Sequence, residues 1–417
     1  MTHRRSEVDS HEGGWVTHHV SQAAFVPHDI DEAVVGSSTG PLSGLTVAVK
    51  DMFDIAGSRT SGGSPAWRDA HPPAGEHAGA VRSLLDAGAT IIGKTVCDEF
   101  FYSITGSNAH FGTPINPRSP DRIPGGSSSG SASATASGAC DLAIGSDTGG
   151  SVRIPAAHCG IYGIRTTKDR FDFTGAMTMA PSFDAGGWFA SSAGVLRQAG
   201  PVLLRGPGQL AQVRAVLVLD EVREAATDPV TRVVTDALRA TSSLMPAASR
   251  ANLAGAHLDD WREAMRVVQA HEVWETFGEF VTSRQPTLGP GIRERMLLAS
   301  GISDHDAAEA RSVLREATHR MESLTPVGTV IALPTTPDLA PLLDSTAQEL
   351  ESYRVNAMRL VCMASISGLP QVSLPLGMLN GAPVSLSLIG WRGGDEALLD
   401  LAVALSPLAG SIIHTTA

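Results

Sequence analysis

Two hydrophobic periods alternate along the chain. The apolar run Leu45–Val49 ends abruptly at Lys50 and predicts a buried strand. Val81, Leu84 and Leu85 have helical spacing, Gly88 stops that helix, and Thr90–Ile92 predicts a second short strand, giving a β-α-β rhythm. Near the other end, Val330–Leu333, Gln371–Pro375 and Val384–Leu388 predict strands, with one helix before Leu369 and another over Glu396–Leu405. Strands at both ends imply one sheet that closes late. Between about Gly206 and Leu324 the pattern shifts to long amphipathic helices, such as Asp259–Phe280 with Trp261, Met265, Val268, Val273, Trp274 and Phe277 near helical spacing. That region reads as a helical insertion within a single domain spanning residues 1–417, and its aromatic stripe as core packing ahead of substrate lining.

Composition narrows this picture. Of 417 residues, 42% are hydrophobic and only 18% charged, which suits a closely packed α/β enzyme core. A net charge of −12 disfavours nucleic acid, because phosphate binding needs clustered cations and the longest basic run is Arg4-Arg5. The four cysteines form no CxxC pair, so neither a zinc site nor a disulfide framework is expected and a reducing cytoplasm fits. Thr2 to Gly14 is polar, lacking the apolar stretch of roughly 7 to 15 residues of a secretory signal. No run of about 18 apolar residues occurs, so a membrane span is not expected. The 14 histidines, His18-His19 among them, include no HExxH pair and imply no metal.

The chemistry concentrates in two hydroxyl-rich glycine turns around a small-residue helix. The first runs Pro124-Gly125-Gly126-Ser127-Ser128-Ser129-Gly130-Ser131, and the second Gly145-Ser146-Asp147-Thr148-Gly149-Gly150-Ser151-Val152-Arg153. Glycines let the backbone approach a ligand, so the N–H groups around Thr148, Gly149 and Gly150 can converge on one developing oxyanion. A serine nucleophile needs a base, and no histidine lies in either turn. Lys50 at a buried strand end can serve, because desolvation favours the neutral amine; without the serine turns it would read as a solvated strand end. Asp147 and Arg153 flank Ser151 and read as supports that pin the turn, with Ser128 as a further support. Met177, Met179, Phe183, Trp188 and Phe189 are candidates for an apolar acyl pocket, with core packing at least as fitting for each.

Val47-Ala48-Val49-Lys50-Asp51, Gly125-Gly126-Ser127-Ser128 and Asp147-Thr148-Gly149-Gly150-Ser151-Val152-Arg153-Ile154-Pro155 together resemble the amidase signature. The resemblance covers most of the chain, including Lys94-Thr95 through Glu99 and Ser182 to Gly187, and is weakest between about Gly206 and Leu324. It implies a large mixed sheet flanked by helices on both faces. It also implies Ser151 as the acylated nucleophile, Ser127 at a cis peptide as proton relay, Lys50 as base, and backbone donors at Thr148, Gly149 and Gly150. Neither cofactor nor metal is implied; the expected partner is a small-molecule amide, with homodimerisation left open. Asp121 to Pro124, Ser182 to Phe189 and Pro286 to Pro290 are similar to the compact plant amidases that hydrolyse indole-3-acetamide, which suggests an arylacetamide. Ser129 stands where the family frequently has glycine.

Competing readings explain less. Gly88 to Thr95 matches the phosphate-loop expression, yet its middle is a β-branched run where a flexible cradle is needed. Gly126 to Gly130 fits a nucleophile elbow with Ser128 as nucleophile, but that leaves Lys50 and the Ser151 turn without a role. Amidase-like receptors of organelle import and amidotransferase subunits acting on transfer RNA share these motifs; such receptors typically lose a catalytic residue, and this chain keeps all of them.

Overall fold

A computed structural model describes residues 23–27, 30–408 and 412–414; the N-terminal polar stretch and His18-His19 lie outside them. Among the described residues the strands are β1 Val34–Val35, β2 Thr46–Lys50, β3 Thr90–Thr95, β4 Leu142–Ser146, β5 Tyr162–Arg165, β6 Gly186–Ala190, β7 Ala215–Leu219, β8 Ala248–Ala251, β9 Thr329–Pro334, β10 Gln371–Leu379, β11 Ala382–Ile389 and β12 Ile412–His414. The helices are α1 Pro65–Ala70, α2 Gly79–Asp86, α3 Ser129–Ala136, α4 Arg153–His158, α5 Ala193–Leu203, α6 Val222–Ala225, α7 Asp228–Ala240, α8 Leu258–Arg284, α9 Ile292–Ala299, α10 Asp304–Leu324, α11 Ala347–Ser367 and α12 Asp395–Leu405.

All these strands join one mixed sheet in the order β1-β3-β2-β4-β6-β5-β10-β11-β9-β7-β8, with β12 beside β10. The chain's two halves meet where β5 pairs antiparallel with β10, Val372 opposite Ile164. Strands from both ends therefore close one sheet, as the apolar runs required.

The catalytically suggestive segments gather at one place for a topological reason. β2 pairs parallel with both β3 and β4, so the carboxyl ends of the three strands, at Lys50, Thr95 and Ser146, lie on the same edge of the sheet. In open α/β sheets ligands bind outside such carboxyl ends. β4 is an entirely buried run, and α3, made of Ser, Gly, Ala and Thr, packs against it closely because its side chains are small. Gly130 shows how closely: a Cβ there would lie 2.3 Å from the Ala24 carbonyl oxygen.

The region from about Gly206 to Leu324, expected as a helical insertion, also carries strands. That region contributes β7 and β8, which extend the sheet parallel to β9. Ala215-Val216-Leu217-Val218-Leu219 is an apolar run short enough for a strand, whereas the mostly exposed Ala248-Ser249-Arg250-Ala251 has no apolar pattern to announce β8. The long helices are there as expected, α8 packing on α9, α10 and α11.

Candidate active site

The phosphate-loop match dissolves first. Its middle is β3, and Lys94 is fully buried in an ion pair with Asp51 at 2.8 Å. Lys50, by contrast, is a buried amine with no carboxylate in contact among the described residues. Its Nζ lies 2.8 Å from Ser127 Oγ and 2.8 Å from Ser146 Oγ, and 4.9 Å from the centre of the Phe101 ring. Ser127 follows a cis peptide at Gly126.

Neighbouring backbone fixes Ser127. The Asp98 N–H donates to the Ser127 carbonyl at 3.2 Å, the Gly126 N–H to Ile104 O at 2.9 Å and the Gly130 N–H to Val96 O at 2.9 Å. Glycine is required at 126 because a Cβ there would lie 2.5 Å from the Asp98 carboxylate. The second turn touches the first through Ser128, whose N–H donates to Ser151 O at 3.3 Å.

Charge is arranged to leave the amine of Lys50 titratable near neutrality. Burial brings it down from 10.5 to about 8, while Cys97, Asp98, Asp147 and Asp184 around it limit the fall. Burial also lifts the Asp98 carboxyl to about 6, against the pull of the Gly106 N–H, Ser103, Lys50 and Arg295. For Asp147 burial would raise the carboxyl, but Arg153 and then Arg165 win and hold it well below the usual range.

Asp147 organises the turn that carries Ser151. Its carboxylate accepts from the backbone N–H groups of Gly150 at 2.8 Å, Val152 at 3.0 Å and Arg153 at 3.2 Å. The Arg153 side chain donates twice to it, at 2.9 and 2.6 Å, and reaches Val361 O, Gln371 Oε1 and Ser365 Oγ from the same guanidinium. Arg153 thus ties the turn to α11 and β10. Thr148 Oγ1 donates to Asp184 at 2.6 Å. The expected trio of backbone donors is modified by this bonding: the Gly150 N–H is committed to Asp147, whereas the N–H groups of Thr148, Gly149 and Ser151 donate to no protein acceptor among the described residues. Gly150 has φ +102°, a backbone that side chains rarely adopt.

Ser151 is 4% exposed and opens into a partly enclosed cleft. Phe101, Ile104, Met179, Ala270, Leu298 and Met358 supply apolar walls, and Tyr102, Ser103, Gln269, Arg266, Arg295 and Arg354 polar ones. Of the candidate acyl-pocket residues only Met179 lines this cleft. Phe183, Trp188 and Phe189 are buried core, the last two because β6 lies in the middle of the sheet, and the half-buried Met177 instead meets Gly62. Along α8 the stripe of Trp261, Met265, Val268, Val273 and Phe277 is buried packing, and the adjacent face of Arg266, Gln269 and Ala270 lines the cleft. Ser128 is fully buried, its hydroxyl turned to Ser146 O at 3.3 Å. Ser146, Asp98, Phe101 and the three arginines were not singled out by the sequence; only the position of Ser146 beside Asp147 hinted at any of them.

Fold and site together define an enzyme that hydrolyses a carbon–nitrogen amide bond. The chain belongs to the amidase family, whose model matches residues 1–205 and 216–399. It is 37% identical to Amidase 1 of Oryza sativa subsp. japonica over 87% of this chain and 89% of that protein. It is 36% identical to Amidase 1 of Arabidopsis thaliana over 90% and 96%. A crystal structure of an amidase superposes with a TM-score of 0.79 at 29% identity, covering 89% of this chain and 86% of the other.

Proposed function

We propose that the chain hydrolyses a small amide through acylation of Ser151, with Ser127 relaying the proton to Lys50. The observation that carries this reading is the 2.8 Å contact between Lys50 Nζ and Ser127 Oγ in a fully buried setting that lowers the amine to about 8. Neutral Lys50 takes the Ser127 proton as Ser127 takes that of Ser151, and Ser151 Oγ bonds to the amide carbon. The oxyanion faces the Thr148 and Gly149 N–H groups, with that of Ser151 beside them, and Gly150 braces the turn through Asp147. Collapse breaks the C–N bond, the proton returns through Ser127 to the departing nitrogen, and ammonia or an amine leaves. Water then cleaves the ester along the same relay. The apolar walls of the cleft support an acyl group with an apolar body, as in an arylacetamide. Four buried free thiols are compatible with a reducing, cytoplasmic location.

The test is labelling with a fluorophosphonate followed by mass mapping of the modified peptide. The label is expected on Ser151, and Ser151→Ala should lower kcat at least about a thousandfold. A label on Ser128, or turnover preserved in Ser151→Ala, refutes the assignment.

A further inference from the structure

Three arginines line the Ser151 cleft of a protein whose net charge is −12, and their charges are not equally answered. Arg266 on α8 is held by Glu263 through two nitrogens, at 2.6 and 3.0 Å. Arg354 on α11 is held the same way by Glu351, at 2.5 and 2.8 Å. Each of these guanidinium charges is balanced by a carboxylate of its own helix turn. Arg295 on α9 differs. It is half-buried, it donates to the Tyr102 carbonyl at 2.7 Å, and among the described residues no carboxylate lies within ion-pairing distance of it. Burial, then repulsion from Arg354, lowers its affinity for the proton, with Glu351, Tyr102 and Asp98 acting the other way. A half-desolvated guanidinium with no carboxylate in contact is costly unless something anionic completes it.

We propose that the substrate's acyl group ends in a carboxylate, which docks on Arg295 while the amide lies at Ser151. The planar fork of a guanidinium matches a carboxylate through two parallel N–H donors, and the half-exposed Gln269 amide in the same cleft supplies a further donor. Phe101, Ile104 and Met179 take the apolar body between the two ends. The substrate class is then the half-amide of a dicarboxylic acid; its hydrolysis consumes one water and yields the dicarboxylate and ammonia. A cleft arranged this way also discriminates, because a neutral amide leaves the guanidinium desolvated and unpaired. This inference rests on the reading of Ser151 as nucleophile.

The experiment compares matched amides on the purified full chain: ring-carboxylated phenylacetamide against phenylacetamide, and short straight-chain half-amides against the corresponding monoacid amides. The anionic member of each pair should show a kcat/KM about ten- to a hundredfold higher. In Arg295→Gln the anionic-to-neutral ratio should collapse by a similar factor, and Arg295→Lys should restore part of it. Wild-type enzyme that prefers the neutral members, or a ratio unmoved by Arg295→Gln, overturns the proposal. Calorimetric binding of the same amides to Ser151→Ala separates the two readings, since it needs no turnover. Equal binding of anionic and neutral amides there rejects the Arg295 site whatever becomes of Ser151; charge-selective binding with persistent turnover upholds Arg295 and rejects the nucleophile.

Discussion

In the proposed mechanism Lys50 is the side chain on which protonation chemistry turns. Its folded value of about 8 lies below the ordinary 10.5, and the neutral amine is the working form of a base. Log kcat/KM should therefore climb with unit slope up to about pH 8 and level off above it. A profile that stays flat across that value would remove Lys50 from the base role. Lys50→Met should lower kcat by about 10² to 10⁴. Lys50 and Ser127 could be read from sequence because a strand-ending lysine and a doubled-glycine serine turn are both local patterns. Ser146, bonded equally to the amine, could not, because a serine closing a strand looks like any other. Arg295 was hidden for a related reason: an arginine on a short helix, with Arg293 two positions before it, has the same pattern whether it faces bulk water or a cleft.

Among the elements, the turn between β4 and α4 depends on one buried pair. Arg153→Met would leave the Asp147 carboxylate with Arg165 alone and also release Val361 and Gln371, so chemical denaturation should show a loss of about 3–5 kcal/mol. Asp147 titrates in the folded protein far below its ordinary 3.8. Its stabilisation is thus present above that ordinary value and disappears as pH falls toward the folded one, so the wild type should resist acid better than Arg153→Met. An unchanged denaturation midpoint at neutral and acidic pH would contradict this role. The supporting pair was visible in the sequence as two charges flanking Ser151, but the capture of the Gly150 N–H was not, since it depends on which way a single peptide plane faces.

At the scale of the whole molecule, β5 pairing with β10 makes the two halves of the chain parts of one sheet, and β7 and β8 bring the middle region into it as well. Heat or denaturant should therefore unfold the protein in one step, with far-UV circular dichroism and tryptophan fluorescence tracing the same midpoint. The fluorescence reports widely, because Trp188 lies in β6, Trp261 in α8 and Trp391 just beyond β11. A separate early transition confined to the α8 tryptophans would make residues 206–324 an independent unit instead. Apolar runs announced the strands near both ends, while β8 was silent because an exposed edge strand carries no hydrophobic signature. The cleft also divides by position along the chain. Phe101, Ile104, Ser151 and Met179 come from before residue 180, whereas Arg266, Gln269, Arg295, Leu298, Arg354 and Met358 all follow residue 257. A molecule seated in the cleft therefore spans segments far apart in the chain, so occupancy should raise the melting temperature of the whole protein rather than of one part of it.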